Sequence, residues 1–292
     1  MKNFGRFILT IGIFFLLTLL LLMGMWRVVI WTRPSLCANE KAEILVMGNS
    51  RIQYGFDDRQ IANTWNVGLN ADNYNVIYWK LKTFHRYNPQ IKRLVLEVDC
   101  ATVFSYFGGV EYKLHPYYWD VMEAEDWMSL LQNDRTILMY PFDWMKILYP
   151  IKSIFSPVSF SDLGIGGYTV LHRNKLQIAL EEEKRQQTKE SHRSKQLVAN
   201  KIQMSYLKKI VDYCDENHIH LEFINMPSYP TGGVKQSNRV LNQYVKSTYP
   251  DIVFHDYELT ELPDSCYGDI SHINHQGAKS LSVILKKDMF SR

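Results

Sequence analysis

Three residue types that could together activate a nucleophile occur at two widely separated places in the chain. Ser50 closes the segment Gly48-Asn49-Ser50, and Asp269 and His272 stand three residues apart near the C-terminus. A serine hydroxyl attacks a carbonyl carbon well only when a base takes its proton, and that base must be oriented by a third group. A spacing of three residues on a turn that enters a helix lets Asp269 and His272 project to one side. We therefore predict a catalytic triad of Ser50, His272 and Asp269.

Each of these features also has an ordinary structural interpretation. A Gly-Asn-Ser turn is common in loops, Asp269 fits the N-cap of a helix, and His272 fits a surface position at a helix start. His272 and His275 with Asp269 offer metal-ligand types on one turn, but no third group elsewhere joins them, so we predict no metal and no cofactor. The segment at 164–167 (Gly-Ile-Gly-Gly) follows no predicted strand, which argues against a dinucleotide-binding loop.

The elements that would position these residues alternate along the chain. Short apolar, β-prone runs predict strands at 43–47, 66–68, 93–98, 220–225 and 252–254. Helical spacing or charge patterning predicts helices at 57–64, 71–88, 173–217 and 275–290. This alternation predicts βαβ units and a parallel sheet. In such a sheet the loops at the carboxyl ends of the strands collect reactive groups, and Ser50 follows the first predicted strand.

The N-terminal segment Phe7–Trp26 is an uncharged, apolar run of twenty residues. At about 1.5 Å per residue it would span about 30 Å, the hydrocarbon thickness of a bilayer. A cleaved signal peptide is the alternative, although no A-x-A-like cleavage site follows the run. Lys2 and Arg6 favour a cytoplasmic N-terminus, and Arg27 and Arg33 weaken that contrast. We predict a single-pass membrane protein whose main domain lies outside the cytoplasm.

The composition narrows the classes of partner. The net charge is +3, with 33 basic and 30 acidic residues and no basic stripe, which argues against a nucleic-acid partner. The four cysteines show no metal-ligand spacing, and one or two disulfides stay open. The predicted segments are a cytoplasmic tail at 1–6, a transmembrane anchor at 7–30, a linker at 31–42, and a domain at 43–292 with an aromatic-rich insertion at about 100–175.

At the triad residues the chain resembles the SGNH (GDSL-type) hydrolase superfamily. The turn Gly48-Asn49-Ser50-Arg51 resembles its first block, and Asp269 to His272 resembles its closing D-x-x-H block. The resemblance implies a flavodoxin-like, three-layer α/β/α domain with a parallel sheet. It also implies an oxyanion hole formed by the amides of Ser50 and Gly68.

Two departures from this family pattern bear on the site. Asn49 replaces the usual aspartate, which is not the nucleophile. The third block, G-x-N-D, has no counterpart after the predicted strand at 93–98. Its asparagine would donate to the oxyanion, and loss of one such donor costs about 10²–10³ in rate. Thr102, Ser105 or a backbone amide would have to replace it.

The N-terminal anchor, the first block and the closing block together resemble a membrane-anchored branch of the superfamily. That branch modifies bacterial cell-surface polymers, as in alginate O-acetylation and D-alanyl transfer to teichoic acids, and implies a membrane-bound O-acyltransferase as partner. The resemblance thus implies a serine ester hydrolase or acetyl-type O-acyltransferase acting on cell-surface polysaccharide or another acyl ester. Arg51 and Asn49 are predicted substrate contacts, although Arg51 could instead pair with Asp57 or Asp58. A non-catalytic polymer-binding or assembly module of an export or modification complex, and a lipase-like esterase with an apolar slot, stay open as alternatives.

Overall fold

The computed structural model describes residues 2–32, 41–104, 118, 121–133, 166–189 and 199–291. The chain divides into two compact units, one formed by 1–36 with 115–159 and the other by 37–114 with 160–292. Most of the predicted insertion at 100–175, including Ser105, and most of the predicted linker at 31–42 lie outside the described residues.

The helices and strands of the described ranges alternate as follows. The strands are β1 (Ile44–Met47), β2 (Thr64–Asn66), β3 (Arg93–Glu97), β4 (His220–Asn225) and β5 (Val253–Asp256). The helices are α1 (Lys2–Thr32), α2 (Ser50–Gly55), α3 (Tyr74–Tyr87), α4 (Cys100–Val103), α5 (Ala124–Asn133), α6 (Leu176–Lys189), α7 (Lys201–Glu216), α8 (Gly232–Thr248) and α9 (His275–Met289).

The first unit contains the long apolar helix α1. Its stretch Phe4–Leu21 has a mean hydropathy of 2.3, and none of that stretch is buried. Length and composition are those of a helix that crosses a membrane, and a signal sequence has the same features. The predicted N-terminal apolar helix is therefore present, whereas its role as an anchor and its orientation stay predictions.

The second unit is built on a five-stranded parallel sheet in the order β2-β1-β3-β4-β5. This order is that of doubly wound, flavodoxin-like sheets. The predicted fold class, an α/β/α domain with a parallel sheet preceded by one apolar helix, is confirmed. Right-handed crossovers place α3, α7 and α8 on one face of the sheet and α2 on the other, where α9 packs against α2.

The buried interior continues through the sheet into both helical layers. Val46, Val95 and Ile224 of three neighbouring strands share one apolar cluster with Ile52 of α2 and Leu281 of α9. Because successive side chains of a strand point to opposite faces, the alternate residues of these strands are buried toward the other helices.

The first connection of the sheet differs from the prediction. The predicted helix at 57–64 is wrong, because α2 begins immediately after β1 and ends at Gly55. Asp57 instead closes a turn, accepting the backbone amide of Arg59 at 3.2 Å, and a carboxylate that bonds its local backbone in this way favours a turn over a helix. The predicted helical region at 173–217 contains α6 and α7 as separate helices.

Candidate active site

Asn49 and Ser50 lie where the chain leaves β1 and begins α2. The side-chain oxygen of Asn49 accepts the backbone amide of Arg51 at 2.9 Å, the usual contact of a helix N-cap. β1 lies between β2 and β3, so the chain leaves it where the strand order reverses. Open α/β sheets bind ligands at that point, and the cap therefore holds Ser50 at the expected mouth of the sheet.

Asp269 and His272 lie in a turn that its own backbone closes just before α9. Asp269 Oδ1 accepts the amides of Ser271 at 2.9 Å and His272 at 3.0 Å, and the amide of Gly268 donates to the carbonyl of His272 at 2.8 Å. The helix cap is Asn274, whose side-chain oxygen accepts two amides of the first turn of α9. Asp269 is therefore not the N-cap of this helix, and its outer carboxylate oxygen stays available to other groups.

The structure brings the three predicted triad residues into one hydrogen-bonded relay. Ser50 Oγ lies 2.7 Å from His272 Nε2, and His272 Nδ1 lies 2.9 Å from Asp269 Oδ1. The ring of Tyr54 packs edge-on to the imidazole, with 5.6 Å between ring centroids. This arrangement lets Nε2 accept the seryl proton while Nδ1–H donates to the carboxylate.

Arg173 is a contact of the relay that the sequence did not indicate. Its Nη1 donates to Asp269 Oδ2 across a separation of 96 residues. The segment that carries it is tied to the same turn, because the amide of Lys175 donates to the carbonyl of Gly268 at 2.8 Å. Partial burial alone would raise the pKa of Asp269, but His272 and Arg173 hold that pKa well below its usual range. The carboxylate therefore stays ionised beside the imidazole.

Beneath the nucleophile, Arg51 lies among three buried carboxylates. Its Nη2 is 3.3 Å from Glu258 Oε1 and its Nε is 3.6 Å from Glu97 Oε1, with Asp99 also close enough to act on it. Burial alone would lower the pKa of Arg51, but the three carboxylates raise it above its ordinary value. Arg51 lines the cavity at Ser50, yet its charge is already matched by the protein.

The predicted pairing of Arg51 with Asp57 or Asp58 is wrong. Asp57 instead binds Arg59, with Nε 2.7 Å from Oδ1, and Asp58 accepts the backbone amide of Asn66. The reason is that α2 starts at Ser50 and directs the side chain of Arg51 toward the ends of the central strands rather than along its own loop.

Glu97, at the end of β3, supports the nucleophile turn directly. Its Oε2 accepts the backbone amide of Asn49 at 3.0 Å. A Cβ at Gly48 would lie 2.5 Å from that same oxygen, so a glycine is needed for the carboxylate to approach the turn. Burial raises the pKa of Glu97 to about 8, with Arg51 opposing the rise and Asp99 adding to it.

Gly68, the predicted oxyanion donor, is not placed for that role. Its amide donates to Asn66 Oδ1 at 2.8 Å, because β2 ends at Asn66 and the chain turns back on that side chain. The residues of this loop that reach the cavity beside Ser50 come later, at Asn70, Ala71 and Asn73. The amide of Gly68 is therefore already engaged within the protein.

Buried hydrogen bonds fix the conformation of the loop that carries Asn70, Ala71 and Asn73. Lys80, fully buried in α3, donates to the carbonyl of Val67 at 2.8 Å and to the carboxylate of Asp72. Between them, Ala71 adopts a φ of 58°, a left-handed conformation that is uncommon for a residue with a side chain. Such conformations persist where the surroundings impose them, and they cluster at functional sites.

A cavity of about 600 Å³ opens over Ser50 and His272. Most of its lining residues carry amide, hydroxyl or carboxylate groups, but apolar atoms, including those of Ala71, Ala101, Val234 and Ile270, form the larger share of the exposed wall. Thr102 is part of this wall, but its hydroxyl is engaged with Asp99.

Within the described ranges, no group of three or more His, Cys, Asp or Glu side chains is arranged to hold a metal. Cys100, Cys214 and Cys266 are buried free thiols. Cys37 lies outside the described residues.

Comparison with known proteins adds little to this geometry. A protein-family model matches residues 172–292, which include Asp269 and His272 but make up less than half of the chain. No curated protein matches the chain. A crystal structure from Bacteroides fragilis NCTC 9343, provisionally described as an acylhydrolase, is similar at 11% identity and a TM-score of 0.37, with 84% of each chain covered. A likeness this low carries no argument, and the interpretation of the site rests on its own contacts.

Proposed function

We propose that this chain is a serine acyl-ester hydrolase or O-acyltransferase. Ser50 is the nucleophile, His272 the general base and Asp269 the residue that orients and stabilises the imidazole. In the first step His272 Nε2 takes the seryl proton, Ser50 Oγ attacks an ester carbonyl, and the departing alcohol receives that proton from His272. The acyl group on Ser50 then passes to water or to a second hydroxyl by the reverse sequence.

The observation that carries this proposal is the closed relay from Ser50 through His272 to Asp269. A non-catalytic binding module has no need to keep a serine 2.7 Å from a base that is itself oriented by an ionised carboxylate. The contacts therefore favour catalysis over the binding-module alternative.

The oxyanion donors belong to the same proposal. The amide of Ser50, at the first position of α2, has no hydrogen-bond partner among the described residues. The same holds for the amide of Ala71, which also lines the cavity. We assign these two amides, together with the carboxamides of Asn70 and Asn73, as the group from which the oxyanion is stabilised.

The substrate class and the location belong to the same proposal. Amide and hydroxyl side chains in the cavity lining, such as those of Asn70, Thr231 and Ser237, offer hydrogen bonds to a hydroxyl-rich ligand such as a cell-surface polysaccharide. The apolar, unburied helix α1 supports a membrane anchor with the domain outside the cytoplasm. A membrane-bound O-acyltransferase as partner would be the source of acyl groups in that setting.

The test uses the full chain in detergent with p-nitrophenyl acetate as the acyl donor. We expect turnover by the native chain and loss of at least about 10³-fold in both Ser50→Ala and His272→Ala. Mass spectrometry of the native chain should find an acetyl group on Ser50. Activity that survives both substitutions would contradict the assignment.

A further inference from the structure

We propose that Asn49 is a positioning residue for Ser50, and that it must be an amide because Asp99 is a carboxylate. The inference rests on the proposed function, since it concerns the placement of its nucleophile. It also departs from the sequence-based expectation, in which Asn49 contacts substrate.

Asn49 is held at three points, two of them acidic. Its backbone amide donates to Glu97 Oε2 at 3.0 Å, and its Nδ2 donates to Asp99 Oδ2, also at 3.0 Å. Its Oδ1 accepts the amide of Arg51 at 2.9 Å and so begins the helix at Ser50. The side chain thus uses one acceptor and one donor, on opposite ends of the same planar group.

Asp99 is equally committed to its own surroundings. Its Oδ1 accepts the amide of Thr102 at 3.0 Å, and its Oδ2 accepts the hydroxyl of Thr102 at 2.6 Å. Asp99 is buried, and these contacts use it as an acceptor throughout. A partner at position 49 must therefore supply a hydrogen.

An aspartate at position 49 would fail at this contact. Its carboxylate could still accept the amide of Arg51, but its second oxygen would face Asp99 with no hydrogen between them. Two like charges about 3 Å apart cannot both stay ionised in a buried site. A fourth carboxylate would also join Glu97, Asp99 and Glu258 around the single cation Arg51. Either the new side chain takes up a proton or the turn moves, and Ser50 moves with it.

The consequence for Ser50 follows from its position. It is the residue between Asn49 and Arg51, and its Oγ has to stay within hydrogen-bond reach of His272. A displacement of about 1 Å in a reacting group can cost about 10²-fold in rate. Positioning by Asn49 therefore predicts an effect on kcat, whereas contact with substrate predicts an effect on KM.

The experiment exchanges the side chains at positions 49 and 99 in the full chain. It measures kcat and KM in detergent with p-nitrophenyl acetate. We expect Asn49→Asp to lower kcat between about 10-fold and 10²-fold, with KM within about twofold of native. Asp99→Asn alone should also lower kcat, because an amide at 99 whose oxygen faces Asn49 turns its NH2 toward the amide of Thr102, which is itself a donor. The double variant Asn49→Asp with Asp99→Asn restores both the donor–acceptor pairing and the number of carboxylates. Its kcat should return to within about threefold of native.

Controls separate positioning from general damage. Asn200→Asp makes the same change at another helix cap, where Asn200 accepts the amide of Gln203, and should leave kcat unchanged. The rate at which a fluorophosphonate labels Ser50 should follow kcat across the series. If Asn49→Asp does not fold, Asn49→Ser keeps a cap acceptor, cannot reach Asp99, and should lower kcat with KM unchanged.

Three results would overturn the inference: a native kcat in Asn49→Asp, a double variant no better than that single variant, or a change confined to KM. A native kcat in Asn49→Ser would do the same where the aspartate variant does not fold. None of these results touches the proposed function, which is tested separately by Ser50→Ala and His272→Ala.

Discussion

The two halves of the relay are held in opposite ways. On the nucleophile side, the side chains of Arg51, Glu97 and Glu258 are 10%, 1% and 7% exposed. On the base side, the ion pair of Asp269 with Arg173 joins side chains that are 15% and 47% exposed. Ionic contacts of the same kind are therefore buried on the nucleophile side of the site and partly exposed to water on the base side.

The difference teaches which contacts determine geometry and which only adjust it. Removing one member of a buried ionic group leaves an uncompensated charge in a poorly polarisable interior, which is costly. Removing one member of a half-exposed pair leaves a charge that water solvates, and such pairs contribute about 0–1 kcal/mol. We expect the nucleophile turn to be rigid because of its charges. The base turn is held instead by its own backbone hydrogen bonds, those that Asp269 and Gly268 make.

The largest effect should come from the one base-side residue that contacts the imidazole itself. Asp269→Asn keeps the size of the side chain but can present an N–H to His272 Nδ1, which favours the wrong tautomer. In a Ser-His-Asp enzyme the equivalent change costs about 10⁴ in kcat. We expect a loss of that order, measured as initial rates with p-nitrophenyl acetate, and a melting temperature within a few degrees of native. The exposed Asp251→Asn is the matched control. A small loss of rate would show that Asp269 is dispensable and that the relay is not the working triad.

The second prediction concerns the buried side and its dependence on pH. Because the pKa of Glu97 is about 8 in the folded chain and near its ordinary value when unfolded, the folded state binds more protons between those values. The free energy of unfolding should therefore fall as pH rises from about 5 to 8. Glu97→Gln removes this contribution and should flatten the curve. A smaller loss in kcat, about 10-fold, should accompany it because the replacement side chain keeps only one oxygen that can accept the amide of Asn49.

Urea midpoints of the full chain in detergent at pH 5, 6, 7 and 8 would measure that slope. Glu261→Gln, at an exposed position, controls for the loss of one acidic group. The free energy of unfolding could instead depend on pH in the same way in the native chain and in Glu97→Gln. Glu97 would then be as well solvated as Asp269, and the two halves of the relay would not differ in the burial of their charged groups.

The parts of this site that the sequence predicted are those carried by short, local patterns. Ser50 follows an apolar run, and Asp269 and His272 share one turn, so residue type and spacing were enough to single them out. The alternation of strands and helices predicted the parallel sheet for the same reason. The local turn at 57–63 was mistaken for a helix because its charged residues fit both patterns.

What the sequence did not show depends on distances that local patterns do not contain. Arg51 and Glu258 are 207 residues apart in the sequence. Their side chains are in contact because the parallel strands β1 and β5 have their carboxyl ends on the same side of the sheet. The amide of Gly68 was predicted to face an oxyanion, but the exact end of β2 directs it to the side chain of Asn66. The sequence singled out Asn49 as a departure from a family pattern but did not indicate Asp99 as its partner, because the two residues are 50 positions apart and only the fold brings their side chains into contact.

The smallest effect should come from Arg173, and it tests the base side alone. Arg173→Met keeps much of the side-chain length but removes the charge from Asp269 Oδ2. Because water reaches this pair, we expect kcat within about threefold of native and a stability change below about 1 kcal/mol. The difference between native and variant should shrink further when the salt concentration rises from 0.05 to 0.5 M, roughly a threefold shorter Debye length. Arg239→Met, at another helix, serves as the matched loss of one arginine. A tenfold or larger loss that salt does not reduce would place the Asp269–Arg173 pair in the same desolvated class as Arg51, and both halves of the relay would then be held by charge.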